Sequence, residues 1–132
     1  MTGKARGRGI SGRSNPDLMG EVATRAEVRI GRPGAAAGSS KHAYARRLLE
    51  RYQRRYGNRR LETEASFKGG SPARYGEKGS VRLDVYDTQT GDVYDYKFTQ
   101  HPGQGISQKQ QDKIRREVPG TIHNILEVNP QP

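Results

Sequence analysis

Asp84, Asp95 and Lys97 are the residues whose types and spacing could do chemistry in this chain. They lie in two runs that alternate apolar and polar side chains, Val81-Arg82-Leu83-Asp84-Val85-Tyr86 and Val93-Tyr94-Asp95-Tyr96-Lys97-Phe98. The segment between them, 87–92, is rich in Asp, Thr and Gly and reads as a turn, so the two runs form a β-hairpin. A register that pairs Asp84 with Asp95 places Val81, Leu83 and Val85 on one apolar face with Tyr94, Tyr96 and Phe98. The other face gathers Arg82, Asp84, Val93, Asp95 and Lys97. A slip of one residue sets Leu83 and Val85 beside Lys97 and Asp95 and mixes charge with apolar groups on both faces. A bulge at Gly91 would favour that slip locally.

In the favoured register two carboxylates oppose each other, which destabilises a sheet unless something compensates. A divalent cation is the natural counter-charge. Hard oxygen ligands in a chain with no cysteine suit Mg2+ or Mn2+ rather than zinc. Lys97, one pleat away, could orient or deprotonate a water, or stabilise charge building on a phosphate. Two acids and a lysine around a metal describe a phosphodiester-cleaving site. An isolated D-x-K is more often a solvated hairpin face, so the surrounding elements decide its meaning.

Those elements can be read from periodicity and caps. Ser39 or Ser40 can cap a helix starting at Lys41, with Ala45, Leu48, Leu49, Tyr52 and Tyr56 as its apolar stripe and Gly57-Asn58 as its stop. Residues 61–67 alternate weakly and read as a strand, and 68–79 as a Gly-rich loop. Ser107 and Gln110 form a capping box for a helix through Val118, which Pro119-Gly120 stops, and 121–128 read as a last strand. The order α-β-β-β-α-β implies an α/β fold with a mixed sheet flanked by helices. Residues 41–130 form the domain. Residues 1–40 read as a basic Gly/Arg/Ser-rich arm and linker, with a short strand near 27–30.

The chain has 132 residues, a net charge of +10 and 30% hydrophobic residues. That is one domain, and its basic balance points to a polyanionic partner. The absence of cysteine excludes disulfide frameworks, Cys-ligated zinc and thiol catalysis. No apolar run is long enough for a membrane span, and the basic N-terminus lacks the apolar stretch of a signal peptide. The charge concentrates in 41–60, where eight basic residues face only Glu50. Arg46, Arg47, Arg51, Arg54 and Arg55 therefore read either as a solvated face or as a phosphate-tracking surface, and the uncompensated surplus favours nucleic-acid binding.

Leu83-Asp84 followed by Asp95-Tyr96-Lys97 resembles the D…(D/E)xK signature of the restriction-endonuclease-like, PD-(D/E)xK, nucleases. The wording GSVRLDVYD…GDVYDYKF, then SQKQ opening a helix, is similar to the toxin domains of that fold at the C-termini of bacterial polymorphic toxins. The family's proline is absent, since Leu83 precedes Asp84. The resemblance covers about residues 41–130 and implies a restriction-endonuclease-like core. By it, Asp84 and Asp95 bind the metal, the carbonyl of Tyr96 is a further ligand and Lys97 is the catalytic lysine.

The same resemblance leads one to look for a glutamate on the first helix. Glu50 fills that place, or is a surface residue paired with Arg46 or Arg54; Glu64 is the reserve. Gln110 corresponds to a helix glutamine close to the site, or serves only the capping box, with Gln111 as the alternative. The resemblance further implies a secreted effector acting in the cytoplasm of a target cell, a DNA substrate and an acidic immunity protein as partner. A ribonuclease of the same fold, and a basic binding module without metal chemistry, are the competing readings. His42, His101 and His123 have no metal-site spacing and read as surface or loop residues, although His42 or His101 could approach the site as a general base. Tyr52, Tyr56, Tyr86, Tyr94 and Tyr96 read as packing groups.

Overall fold

The computed structural model describes residues 13–98 and 105–131. Helix α1 spans Asn15–Ile30, where an arm, a linker and a strand near 27–30 are expected from the sequence. The reason is visible in its ends and its face. Ser14 Oγ accepts the Asp17 N–H at 3.2 Å, Pro16 stands in the first turn, and Gly31 closes the helix at φ 70°. Leu18, Met19, Val22, Ala23 and Ala26 bury one side of it. Each large side chain so buried contributes about 1.5–3 kcal/mol, so α1 is part of the folded core rather than an appendage.

Helix α2 spans Ala35–Tyr56 and starts from Gly34 without a side-chain cap. Ser39 and Ser40, expected as caps, lie inside the helix, because Ala35 to Ala37 extend it N-terminally at little cost. The domain boundary expected at 41 therefore falls within α2. Lys41 is buried there, with Nζ 3.0 Å from Glu27 Oε1 on α1, which ties the two helices together.

Strands β1 (Leu61–Lys68), β2 (Ser71–Pro72), β3 (Val81–Asp87), β4 (Asp92–Tyr96) and β5 (Ile125–Val128) form one sheet in the order β2-β1-β3-β4-β5. All pairings are antiparallel except β4 with β5, which α3 (Gln108–Glu117) connects. The fold is α/β, a mixed sheet flanked by helices. It adds α1 and the two-residue β2 to the expected element order. Ser107 Oγ accepts the Gln110 N–H at 3.1 Å, the expected cap of α3.

The sheet has a core on each face. Leu18, Met19, Ala45 and Leu49 from the first two helices pack with Leu61, Val85, Tyr94, Tyr96 and Val128. Ile114 of α3, with Val118 and Ile122 beyond it, packs with Phe67, Val81, Leu83, Tyr86 and Val93. Val81 and Leu83 thus leave the face of Val85, contrary to the simple alternation. The change comes at Asp84, which stands across from Glu64 in the β1–β3 register. Glu64 takes φ 49°, in the left-handed region, and no ladder pair forms at that level. A local reversal there lets both strands switch pleat. The β3–β4 turn is held by Asp87, whose Oδ1 accepts the N–H groups of Gln89 and Thr90 and whose Oδ2 accepts Asn15 Nδ2.

Candidate active site

The β3–β4 ladder pairs Val85 with Tyr94, Tyr86 with Val93 and Asp87 with Asp92, the register favoured from the sequence. Past Val85 the ladder stops. The Tyr96 N–H donates instead to Asp84 Oδ2 at 2.8 Å. The strands open at the level where the two aspartates meet.

Burial pushes the Asp95 carboxyl above the usual aspartate range, and the charge of Asp84 pushes it further; Lys97 acts in the opposite sense. Lys97 Nζ lies 3.0 Å from Asp95 Oδ2, an ion pair within the site. The Lys97 N–H donates to the Val128 carbonyl at 2.9 Å, which pins the lysine to the parallel edge of β4. Asp84, Asp95, Tyr96 and Lys97 are thus gathered as the spacing suggested. Tyr96 meets Asp84 through its amide; its ring is buried in the core, where burial pushes the phenol far up.

Helix α2 adds His42, whose Nδ1 lies 3.4 Å from Asp84 Oδ1. Its ring meets Phe98 edge-on at 5.0 Å and tilts against Tyr96 at 6.1 Å. Burial pulls the imidazole pKa down, but the contact with Asp84 and the charges of Asp84, Asp95 and Glu64 outweigh it, and the net shift is upward. The sequence alone reads His42 as a surface histidine with only an alternative role near the site. The signal that finds it is helical spacing: His42, Ala45 and Leu49 share one stripe, and the last two face the sheet.

Glu64 reaches this group only through its charge, which acts on His42. Its carboxylate stands 4.0 Å from Arg46 Nε and 3.9 Å from Arg82 Nη2. Glu50, placed first from the sequence, accepts a 2.6 Å hydrogen bond from Thr63 Oγ1. Gln110 serves the cap of α3 through its N–H, and Gln111 Nε2 donates to the Ile106 carbonyl. The contacts described at Asp84 and Asp95 come from His42 on α2, Tyr96 on β4 and Lys97 just after it. His101 lies outside the described residues. His123 bonds Gly91 O through its N–H, at the turn end of the hairpin and away from Asp84.

The basic residues of α2 divide into two groups. Arg46 belongs to the site through Glu64. Arg47, Arg51 and Arg54 line an open hollow of about 230 Å3 with Tyr44, Leu48 and Glu50. Arg51 and Arg55 also line a hollow of about 260 Å3 between α1 and α2, opposite Arg25 and its ion-pair partner Glu21. The Arg47 guanidinium lies 6.0 Å from the Tyr44 ring and that of Arg55 lies 5.6 Å from Tyr56.

Asp84 and Asp95 suit a hard divalent cation: two neighbouring carboxylates, one held above the usual aspartate range by burial and by the charge of the other. Among the described residues no cluster of three or more His, Asp or Glu side chains draws together, so the pair would share the ion with backbone, water or substrate oxygens. No described helix is long and apolar enough to cross a membrane. No protein-family model, curated protein or solved structure matches the chain.

Proposed function

We propose that the chain is a metal-dependent nuclease of the restriction-endonuclease-like kind, hydrolysing phosphodiester bonds in DNA with Mg2+ or Mn2+. One observation carries the reading: Asp84 and Asp95 converge where β3 and β4 part, with the Lys97 ammonium 3.0 Å from Asp95. Asp84 and Asp95 would hold the cation, and by the resemblance the carbonyl of Tyr96 would be a further ligand. A divalent cation held there supplies Lewis-acid stabilisation of charge on the phosphoryl oxygens. Lys97 holds the attacking water in line or offsets charge on the phosphate. His42 braces Asp84 from the helix side. The arginines of α2 supply affinity through phosphates, not sequence choice.

The net charge of +10 supports an acidic partner. The resemblance to polymorphic toxin domains extends the proposal to an effector delivered into a target cell, with an acidic immunity protein in the producer. The test is incubation of the chain with supercoiled plasmid and, separately, with total RNA, in Mg2+, Mn2+ or EDTA, beside Asp95→Ala. Metal-dependent nicking of the plasmid that disappears in the variant is the expected result. Cleavage of RNA alone transfers the site to a ribonuclease. Binding of either polymer without cleavage leaves a basic binding module.

A further inference from the structure

The most exposed aromatic side chain among the described residues is Tyr75, 78% accessible, in the segment between β2 and β3. It packs into neither core. Its segment is nonetheless anchored. The Ala73 N–H donates to the Ser66 carbonyl at 2.9 Å, the Arg74 N–H to Glu77 Oε1 at 3.2 Å, and Ser80 Oγ to the Glu77 carbonyl at 2.6 Å. An exposed ring on an anchored turn loses little freedom when something stacks on it.

Arg82 covers one face of that ring, with its guanidinium carbon 4.4 Å from the ring centroid. The accessibility of the residue leaves the opposite face open to solvent. Arg82 precedes Asp84 by two residues on β3, about 7 Å along a strand. Its Nη2 also lies 3.9 Å from Glu64, which stands 4.0 Å from Arg46 Nε, and that Arg46 nitrogen is buried without a hydrogen-bond partner. The two guanidiniums are held loosely around one carboxylate, next to the carboxylate pair. Arg74 and Lys78 add positive charge to the same segment, whose one acid, Glu77, is paired with Lys68 of β1 at 3.8 Å.

We infer that Tyr75 and Arg82 form a subsite for an unpaired nucleotide beside the scissile phosphate. The base stacks on the open face of Tyr75, while Arg82, with Arg46 behind it, takes a flanking phosphate. A base inside an intact duplex has both faces covered by its neighbours. The subsite therefore selects single-stranded, gapped or frayed substrate. The inference rests on the nuclease reading for its location, and its test separates the two.

The experiment measures binding in EDTA by fluorescence anisotropy, with a single-stranded oligonucleotide carrying 2-aminopurine and with the matching duplex. The expected result is that Tyr75→Ala weakens single-strand binding about tenfold, the scale of one base–aromatic stack. Quenching of the 2-aminopurine disappears with it, while duplex affinity and the salt slope stay as in wild type. Tyr75→Phe retains both affinity and quenching, because the stack needs the ring and not the hydroxyl. An unchanged melting temperature of Tyr75→Ala confirms that the fold is intact. Single-strand affinity within twofold of wild type, or an equal loss for single strand and duplex, overturns the subsite. A chain that binds, quenches and never cuts loses the nuclease reading alone; one that binds neither polymer loses both.

Discussion

Asp84 Oδ2 accepts the backbone N–H of Tyr96 at 2.8 Å, so a side chain of β3 ends the ladder that the β4 backbone would otherwise continue. The carboxylate therefore has a structural and a chemical role, and two substitutions separate them. Asp84→Asn keeps an oxygen for the Tyr96 amide and removes the charge; it should abolish cleavage and leave the melting temperature nearly unchanged. Asp84→Ala also orphans the amide, costing about 1–3 kcal/mol of stability. Urea unfolding beside a plasmid assay measures both, and full activity in Asp84→Asn removes Asp84 from the site.

Glu64 and Glu50 make opposite predictions. Glu64 stands across from Asp84 and its charge reaches His42. Glu64→Gln should raise the Mg2+ concentration needed for half-maximal cleavage by about tenfold, the order expected when an outer partner of a metal site is removed. Glu50 is engaged with Thr63. Glu50→Gln should leave that concentration unchanged and cost about 1 kcal/mol of stability through the weakened hydrogen bond. A magnesium titration of both variants decides between them.

Arg47, Arg51 and Arg54 share one open hollow on α2. Replacing all three with Gln should weaken DNA binding and flatten the plot of log affinity against log salt by about 0.9 for each phosphate that is no longer neutralised. Stability should stay within about 0.5 kcal/mol, since the change is on the surface. An unchanged salt slope excludes this face from the interface.

Gly91 takes φ 81°, and a Cβ added there would stand 2.5 Å from the Thr121 carbonyl oxygen. Gly91→Ala should therefore cost about 1–3 kcal/mol from the backbone conformation, with the clash adding to it. The denaturation midpoint should fall, and the connection leading into β5 should lose amide protection first, because it must move to admit the methyl group.

Glu117 Oε1 accepts the Gly69 N–H at 2.7 Å and ties α3 to the β1–β2 turn. That hydrogen bond, then the one from Arg116, holds its carboxyl below the ordinary glutamate range. A pKa lower in the folded than in the unfolded chain adds stability above the unfolded value. The contribution is lost as pH falls through the folded one. Wild type should exceed Glu117→Gln in urea resistance at about pH 7, and the gap should shrink as pH falls below the ordinary glutamate value of about 4.3. A gap independent of pH removes the charge from the explanation.

The hairpin, its register and the cap of α3 were legible because each depends on short-range rules. Period-2 alternation sets the pairing of Val85 with Tyr94, and Ser107 finds the Gln110 amide three residues on. The start and stop signals of α1 were also present, in Ser14, Pro16 and Gly31, but basic Gly-rich residues before them masked a helix that only core burial makes worthwhile.

By itself the sequence determined the local pieces of this protein: a hairpin carrying Asp84, Asp95 and Lys97, an arginine-rich helix and a capped crossover helix. The tertiary structure decided which side chains meet. It turned β1 and β3 over at Glu64 and Asp84, brought His42 across from α2, and set Glu64 between Arg46 and Arg82 while Glu50 bonds Thr63. The physical reason is that alternation and capping are set within a few residues, whereas a change of pleat and the docking of a helix follow from packing between segments far apart in the chain.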